Sequence, residues 1–107
     1  MSIAESRLVS ADVLAAPLVS DGPGPLDTAS AALVAVREHQ IGLWAAGPGT
    51  DDDVEADEVF LVLSGAGTVT FADGSRVDLR PGVLVHLRAG DNTTWEITER
   101  LRKLYVS

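Results

Sequence analysis

The sequence predicts an all-β protein, an antiparallel barrel or jelly roll of about eight strands. Three observations support this fold class: β-branched and aromatic residues recur in short runs, glycine or proline bounds each run, and no convincing helix interrupts them. With 107 residues, the chain has the length of one domain with a core of its own.

A proline-rich stretch precedes the first predicted strands. Residues 17–28 contain three of the five prolines and two glycines, a composition that favours a loop or a covering arm. We therefore divide the chain into an N-terminal arm, residues 1–30, and a barrel domain, residues 31–107.

The segment after the arm is compatible with a helix or with two short strands. Its alanine-rich start could begin a helix, but Val34, Val36 and Ile41 are β-branched and a Gly-Pro-Gly closes the segment at residues 47–49. These features favour two short strands over a helix.

Strands and turns alternate more clearly from Glu58 onward. The run that begins there ends at Gly65, and the dipeptide Asp73-Gly74 is typical of a two-residue hairpin turn. The Arg-Pro-Gly at residues 80–82 predicts a type II turn. The strands predicted in this part of the chain are residues 58–64, 67–72, 75–79, 83–87, 93–98 and 100–106.

The apolar run at residues 58–64 predicts that another subunit or another segment of the chain packs against its outer face. Both of its faces are apolar, whereas a strand with one face in water alternates apolar and polar residues. A homodimer is the simplest cover, and an N-terminal arm that folds back is the alternative.

Composition argues against several functions and several cellular locations. The net charge of −8, without a stripe of basic residues, argues against a nucleic-acid partner. The absence of cysteine excludes disulfides and thiolate metal sites and favours the cytoplasm. No apolar run, residues 59–63 among them, approaches the roughly 20 residues of a membrane span, and Asp12 interrupts the N-terminal segment that comes nearest to a signal sequence. We expect a soluble, cytoplasmic protein with no membrane partner.

Several short motifs carry a family resemblance. Residues 58–65 read as a glutamate, six residues and a glycine; residues 44–49 read WAAGPG; and the Thr-Trp at residues 94–95 is followed by RKLYV at residues 102–106. With these motifs the chain resembles the cupins over residues 42–106, and within the cupins it is similar to the ureidoglycine aminohydrolase-type group. The resemblance implies a cupin jelly-roll barrel, or double-stranded β-helix, of about eight or more strands with an N-terminal arm.

The resemblance also implies a metal site that this chain has largely lost. Metal-binding cupins supply two histidines and a glutamate from the first motif and a histidine from the second. Here Asp51 and Asp53 stand at the first two positions and Thr93 at the last, so only Glu58 is retained. A threonine hydroxyl binds divalent metals far less well than imidazole does, and we therefore expect no cofactor. The alternative is a divalent metal (Mn, Zn, Fe or Ni) held by Glu58 and His86.

The sequence is compatible with two roles for each of Glu58 and His86. Glu58 begins an apolar strand, where an unpaired carboxylate is costly, so it either contacts a bound ligand or pairs with an arginine. The arginines considered are Arg76, Arg88 and Arg100. His86 interrupts an apolar strand and is either a core or interface residue or, if it faces the interior, a metal ligand or acid/base partner of Glu58.

The remaining predictions concern the pocket and the acidic run. The residues expected to contact a ligand are Glu58, Thr93, Trp44, Trp95 and Phe60. No catalytic residue is assigned. The acidic run at residues 51–58 is predicted to be a solvated loop, because Ala56 and Val62 stand where a calcium-binding loop needs glycine and glutamate.

Three functions are compatible with these observations. The leading prediction is a protein that binds a small ligand in a barrel whose metal site is degenerate. The alternatives are a metal-dependent hydrolase or isomerase of a small polar metabolite, similar to ureidoglycine aminohydrolase, and a structural or assembly module with a filled barrel. An open polar pocket favours the first and a filled barrel favours the last.

Overall fold

Antiparallel strands account for most of the chain. The structure, a computed structural model, describes residues 2–107, which form one short helix and eight strands in a single antiparallel sheet. The elements are α1 (Ile3–Arg7), β1 (Val19–Ser20), β2 (Ala29–Val36), β3 (His39–Ala46), β4 (Gly49–Val54), β5 (Glu58–Phe71), β6 (Arg76–Leu79), β7 (Leu84–Leu87) and β8 (Asn92–Val106). The strand order is β1-β2-β3-β8-β5-β6, with β4 also on β8 and β7 also on β5. The predicted all-β jelly-roll class is confirmed.

Two long strands, β5 and β8, form the spine of the barrel. They pair with each other along most of their lengths, and each also pairs with two shorter strands, β7 and β6 for β5, β3 and β4 for β8. The pairing shifts register three times between Val62 and Gly67, and bulges of this kind bend a sheet. The strand ends predicted at Gly65 and between residues 98 and 100 are therefore wrong, because these positions are bends within continuous strands.

The predicted hairpins and turns are largely present. Strands β2 and β3 form the antiparallel pair favoured over a helix. The residues at 80–82 make a type II turn, since Val83 donates its N–H to the Arg80 carbonyl and Gly82 has a φ of +95°.

The hairpin between β5 and β6 exists, but its turn differs from the predicted two-residue form. Gly74 donates its N–H to the Phe71 carbonyl, which places the turn at residues 71–74, and Gly74, the last residue of this turn, has a φ of +86°. This is the longer hairpin loop, with a glycine bulge. The hydroxyl and the backbone N–H of Ser75 both donate to Asp73, and they hold the pKa of that carboxyl below its ordinary value.

The first part of the acidic run is a strand and not the predicted loop. Residues 49–54 pair with β8, where Asp51 lies opposite Trp95 and Asp53 opposite Thr93. Alternation along β4 places Asp51 and Asp53 on one face, whereas Asp52 lies on the other face and accepts a hydrogen bond from Thr94 Oγ1 at 2.7 Å. Pairing with β8 thus outweighs the low strand propensity of aspartate.

Buried apolar side chains form the hydrophobic core of the barrel. Its largest fully buried side chains are Phe60, Leu43, Leu79, Leu87, Leu101, Val62 and Val69. Strand β7 shows how alternation selects them, because Val85 and Leu87 are buried while Leu84 and His86 are exposed.

Residues 2–25 of the N-terminal arm lie on the surface, whereas Leu26 and Ala29 are buried. Helix α1 begins with a capping box in which Ser2 and Glu5 satisfy each other's backbone N–H groups, and none of its residues is buried. Arg102 attaches the arm to the barrel, since its Nη1 donates to the carbonyls of Val13 and Ala16 at 2.9 Å each. Across residues 2–107, no helix is long and apolar enough to cross a membrane.

Candidate functional site

A cavity of about 510 Å³ opens between the residue 26–30 segment and strands β3, β4, β5 and β8. The carboxylates in its lining are Asp51, Asp53, Glu55 and Glu58. The aromatic rings in its lining are Trp44, Trp95 and Tyr105, and Lys103 contributes an ammonium group. The volume and the mixture of apolar faces with a few polar groups are typical of small-molecule pockets.

Lys103 and Glu58 form the ion pair on the floor of this cavity. Lys103 Nζ donates to Glu58 Oε2 at 2.6 Å, and their side chains are only 7% and 21% exposed. The same nitrogen lies 4.7 Å from the ring centroid of Trp44, 4.5 Å from that of Phe60 and 5.0 Å from that of Trp95. The ammonium is thus held by one charged hydrogen bond and three cation–π contacts.

Glu55 fixes one wall of the cavity to β8. Its Oε2 accepts hydrogen bonds from Thr93 Oγ1 at 2.7 Å and from Trp95 Nε1 at 2.9 Å. The backbone of Glu55 also pairs with the turn before β8, through Gly90 and Asp91. These contacts hold the Trp95 ring in place at the edge of the ion pair.

The charges of the cavity are unbalanced. Glu58 is paired with Lys103, but among residues 2–107 none of the other three carboxylates, Asp51, Asp53 and Glu55, forms an ion pair. A concave surface lined by one sign of charge raises the local concentration of the opposite ion. The electrostatic preference of this cavity is therefore for cations.

The structure brings together three of the five residues predicted to contact a ligand. Glu58, Trp44 and Trp95 line the cavity. Phe60 is fully buried and lies beneath the ammonium, outside the lining. Thr93 is 4% exposed and uses its hydroxyl on Glu55, so it supports the wall of the cavity and borders a separate open groove next to β4.

None of the four side chains considered as partners of Glu58, three arginines and His86, pairs with it in the structure. The structure pairs it with Lys103 and with none of the three arginines considered. His86 lies on the exposed outer face of β7 opposite Val59, whereas Leu87 is the residue opposite Glu58. The strand alternation that buries Leu87 turns His86 away, so a site made of Glu58 and His86 does not form.

The cavity residues that sequence reasoning missed include Lys103, Tyr105 and the carboxylates of Asp51, Asp53 and Glu55. Lys103 had a usable signal, because it lies two residues from Leu101 on the inward face of β8. Lysine is rarely buried unless it is paired, so its inward position predicts a carboxylate partner. Glu55 carried no such signal, since its partners become neighbours only when β4 pairs with β8.

The donor groups do not fit a metal ion as they are arranged. Within residues 2–107, no group of three or more histidine, cysteine or acidic side chains is placed to hold one. Oε2 of Glu58, the one retained ligand of the metal motif, accepts from an ammonium, and the hydroxyl of Thr93, which stands at the position of the second motif's histidine, donates to Glu55. The expected lack of a cofactor remains a prediction.

Solved structures with the same fold include proteins of different kinds. The EutQ protein of Clostridium difficile is 21% identical with a TM-score of 0.65; the match covers 76% of this chain, which spans 61% of the length of that protein. A protein of unknown function from Rhizobium leguminosarum is 28% identical with a TM-score of 0.68, covering 78% of this chain and 81% of the other. Ectoine synthase from P. lautus is 15% identical with a TM-score of 0.68, covering 81% of this chain and 67% of the other.

Comparison with protein-family models identifies the family of the chain, whereas the structural similarity identifies only its fold. No curated protein matches the chain. Residues 35–105, more than half of the chain, match the model of the EutQ-like cupin domain. The match includes the strands that carry Trp44, Glu58, Trp95 and Lys103. The chain therefore belongs to the family of EutQ-like cupin domains.

Proposed function

We propose that this protein binds a small organic cation, such as an amine, amidine, guanidine or quaternary ammonium compound, in the barrel cavity. The observation that carries the proposal is the wall formed by Asp51, Asp53 and Glu55, whose charges have no cationic partner among residues 2–107. A carboxylate at the edge of a partly enclosed cavity interacts more strongly with a cation than one on an open surface.

The aromatic lining supports the same class of ligand. Trp44 and Trp95 present their rings to the cavity with centroids 5.6 Å apart in an edge-to-face arrangement. The Lys103 ammonium already makes the cation–π contacts with these rings, so their contribution to a ligand is the apolar surface that can bury its carbon atoms. The hydroxyls of Thr28, Ser30 and Tyr105 add hydrogen-bonding groups that can orient a polar ligand.

Fluorescence titration tests the proposal directly, because the two tryptophans of the chain both line the cavity. The probes are small amines, amidines, guanidines and quaternary ammonium compounds, each compared with a neutral alcohol or a carboxylic acid of similar size. We expect cations to change the fluorescence at lower concentration than their neutral counterparts, and we expect added salt to weaken the binding.

A matched pair of variants locates the binding. Asp51→Asn removes a charge from the cavity wall, and we expect it to weaken the binding of a cation about fivefold. Asp52→Asn removes the same charge from the opposite face of the same strand and should leave the affinity nearly unchanged. Equal effects of both variants, or equal binding of neutral and cationic probes, would contradict the proposal.

The other predicted functions have less support. The open cavity argues against a filled assembly module. The metal-dependent hydrolase or isomerase of the ureidoglycine aminohydrolase type remains a prediction, and the engagement of Glu58 by Lys103 does not favour it. The family match reaches the EutQ-like cupin domain and not that group.

A second copy of the chain remains the proposed partner. Exposed apolar side chains on the arm support a homodimer; they are Ile3, Leu8, Val9, Leu14 and Val19. The cytoplasmic location remains a prediction from composition.

A further inference from the structure

We infer that Lys103 is the built-in cation of this cavity: its ammonium occupies the place beside Glu58 that a metal ion or a ligand's cation would otherwise take. It thereby determines specificity, because the cationic group of a ligand is left with the wall formed by Asp51, Asp53 and Glu55. The inference concerns the same cavity as the proposed function, but its test compares Lys103 variants and follows the NMR signals of Lys103 itself, so each can fail without the other.

The burial of Lys103 is the first step of the argument. It is the only lysine in the chain, and its side chain is 7% exposed. A lysine at the edge of a barrel can usually extend its long side chain into water. Here the side chain instead turns inward, where the ammonium loses most of its hydration and must be compensated by protein groups.

The surroundings of the ammonium are the second step. Three aromatic rings at 4.5–5.0 Å and one carboxylate at 2.6 Å surround it. Aromatic rings with a carboxylate are the arrangement by which proteins recognise organic ammonium ligands. In this chain the arrangement is filled by a side chain of the protein itself.

The consequence for other cations is the third step. A metal ion or ligand cation at Glu58 would have to displace the ammonium or lie beside it, where like charges repel. The remaining carboxylates of the lining lie on β4 and the residue after it, and none of them forms an ion pair within residues 2–107. The cavity therefore has two positions for a cation. Lys103 occupies the one beside Glu58, and the one beside the other carboxylates is open to a ligand.

Chemical rescue provides the experiment. Lys103→Ala removes the three methylene groups beyond Cβ and the ammonium, a fragment that n-propylammonium reproduces. We expect n-propylammonium chloride to bind Lys103→Ala at least tenfold more tightly than the wild type, as measured by tryptophan fluorescence and by the rise in melting temperature at constant ionic strength. In the double variant Glu58→Gln/Lys103→Ala this gain should be lost, and 1-propanol should not reproduce it in either variant.

Failure of the rescue has a defined meaning. If folded Lys103→Ala binds n-propylammonium no more tightly than the wild type, or if the double variant binds it equally well, the inference is overturned. Binding of n-propylammonium by the wild type at the Asp51 wall is compatible with the inference, provided that Lys103→Ala binds it at least tenfold more tightly.

The wild type offers a second measurement that does not require the variant to fold. Since the chain has one lysine, labelling with ¹³C-lysine gives a single set of NMR signals. Protons above aromatic rings are shielded, so we expect the ε-methylene protons of Lys103 upfield of those in an unstructured peptide. Unshifted ε-methylene protons would show a solvated ammonium and overturn the inference. If these protons are shifted but no organic cation binds, the proposed function fails and this inference stands.

Discussion

Lys103→Met is expected to lower the free energy of unfolding by about 3 kcal/mol, at the low end of the range for breaking a buried ion pair. Methionine keeps an unbranched chain over the aromatic rings, but it leaves the carboxylate of Glu58 without its partner. Glu58 is 21% exposed, so water relieves part of the cost. Urea denaturation followed by tryptophan fluorescence measures the change.

The double variant Glu58→Gln/Lys103→Met separates the charge from the packing. It removes both members of the pair, and we expect it to recover much of the stability that the single variant loses, because no buried carboxylate is left unpaired. If the double variant is as unstable as Lys103→Met, the loss comes from packing alone and the ion pair does not explain the burial of Lys103.

Gly65→Ala is expected to have an even larger effect, a loss of about 4 kcal/mol from strain and overpacking together. Gly65 has a φ of +90°, and a Cβ there would overlap the backbone of Arg100 and Leu101 on β8. Neither backbone can move aside, because this contact is where the two long strands bend. The loss is a large part of the total stability of a domain of this size and is measured by urea or thermal denaturation.

Gly82→Ala is the matched control for this variant. Gly82 has a similar φ of +95°, but apart from its own atoms and its two chain neighbours no heavy atom among residues 2–107 lies within 4 Å of the added Cβ. It should therefore lose only the cost of the left-handed conformation, about 1 kcal/mol. Equal losses at the two glycines would contradict the role of Gly65 in the close contact of β5 with β8.

Local sequence patterns predicted much of the fold because short-range physics determines those features. The glycine at position 82 and the strand favoured over a helix near Val34 follow from allowed backbone angles and side-chain shape. The bends within β5 and β8 could not be predicted in this way. A glycine such as Gly65 looks the same in sequence whether it ends a strand or marks a bulge, and only the pairing with the distant β8 distinguishes the two.

The candidate site was less predictable from sequence than the fold. The position of Glu58 followed from a motif, but its partner lies 45 residues away and on another strand. Strand β4 had the composition of a solvated loop, and its residues after Gly49 are exposed; only its pairing with β8 brings Asp51 and Asp53 to the lining of the cavity. For Lys103, the general preference of lysine for water concealed an inward position that strand alternation predicts.

Metal content tests the central claim that Lys103, and no metal ion, is the cation beside Glu58. Protein made without a histidine tag is exposed to manganese, zinc, iron and nickel, dialysed extensively, and compared with the Glu58→Gln variant by elemental analysis. The account predicts that neither protein retains a stoichiometric amount of any of these metals. One ion retained per chain by the wild type and lost in Glu58→Gln would contradict it.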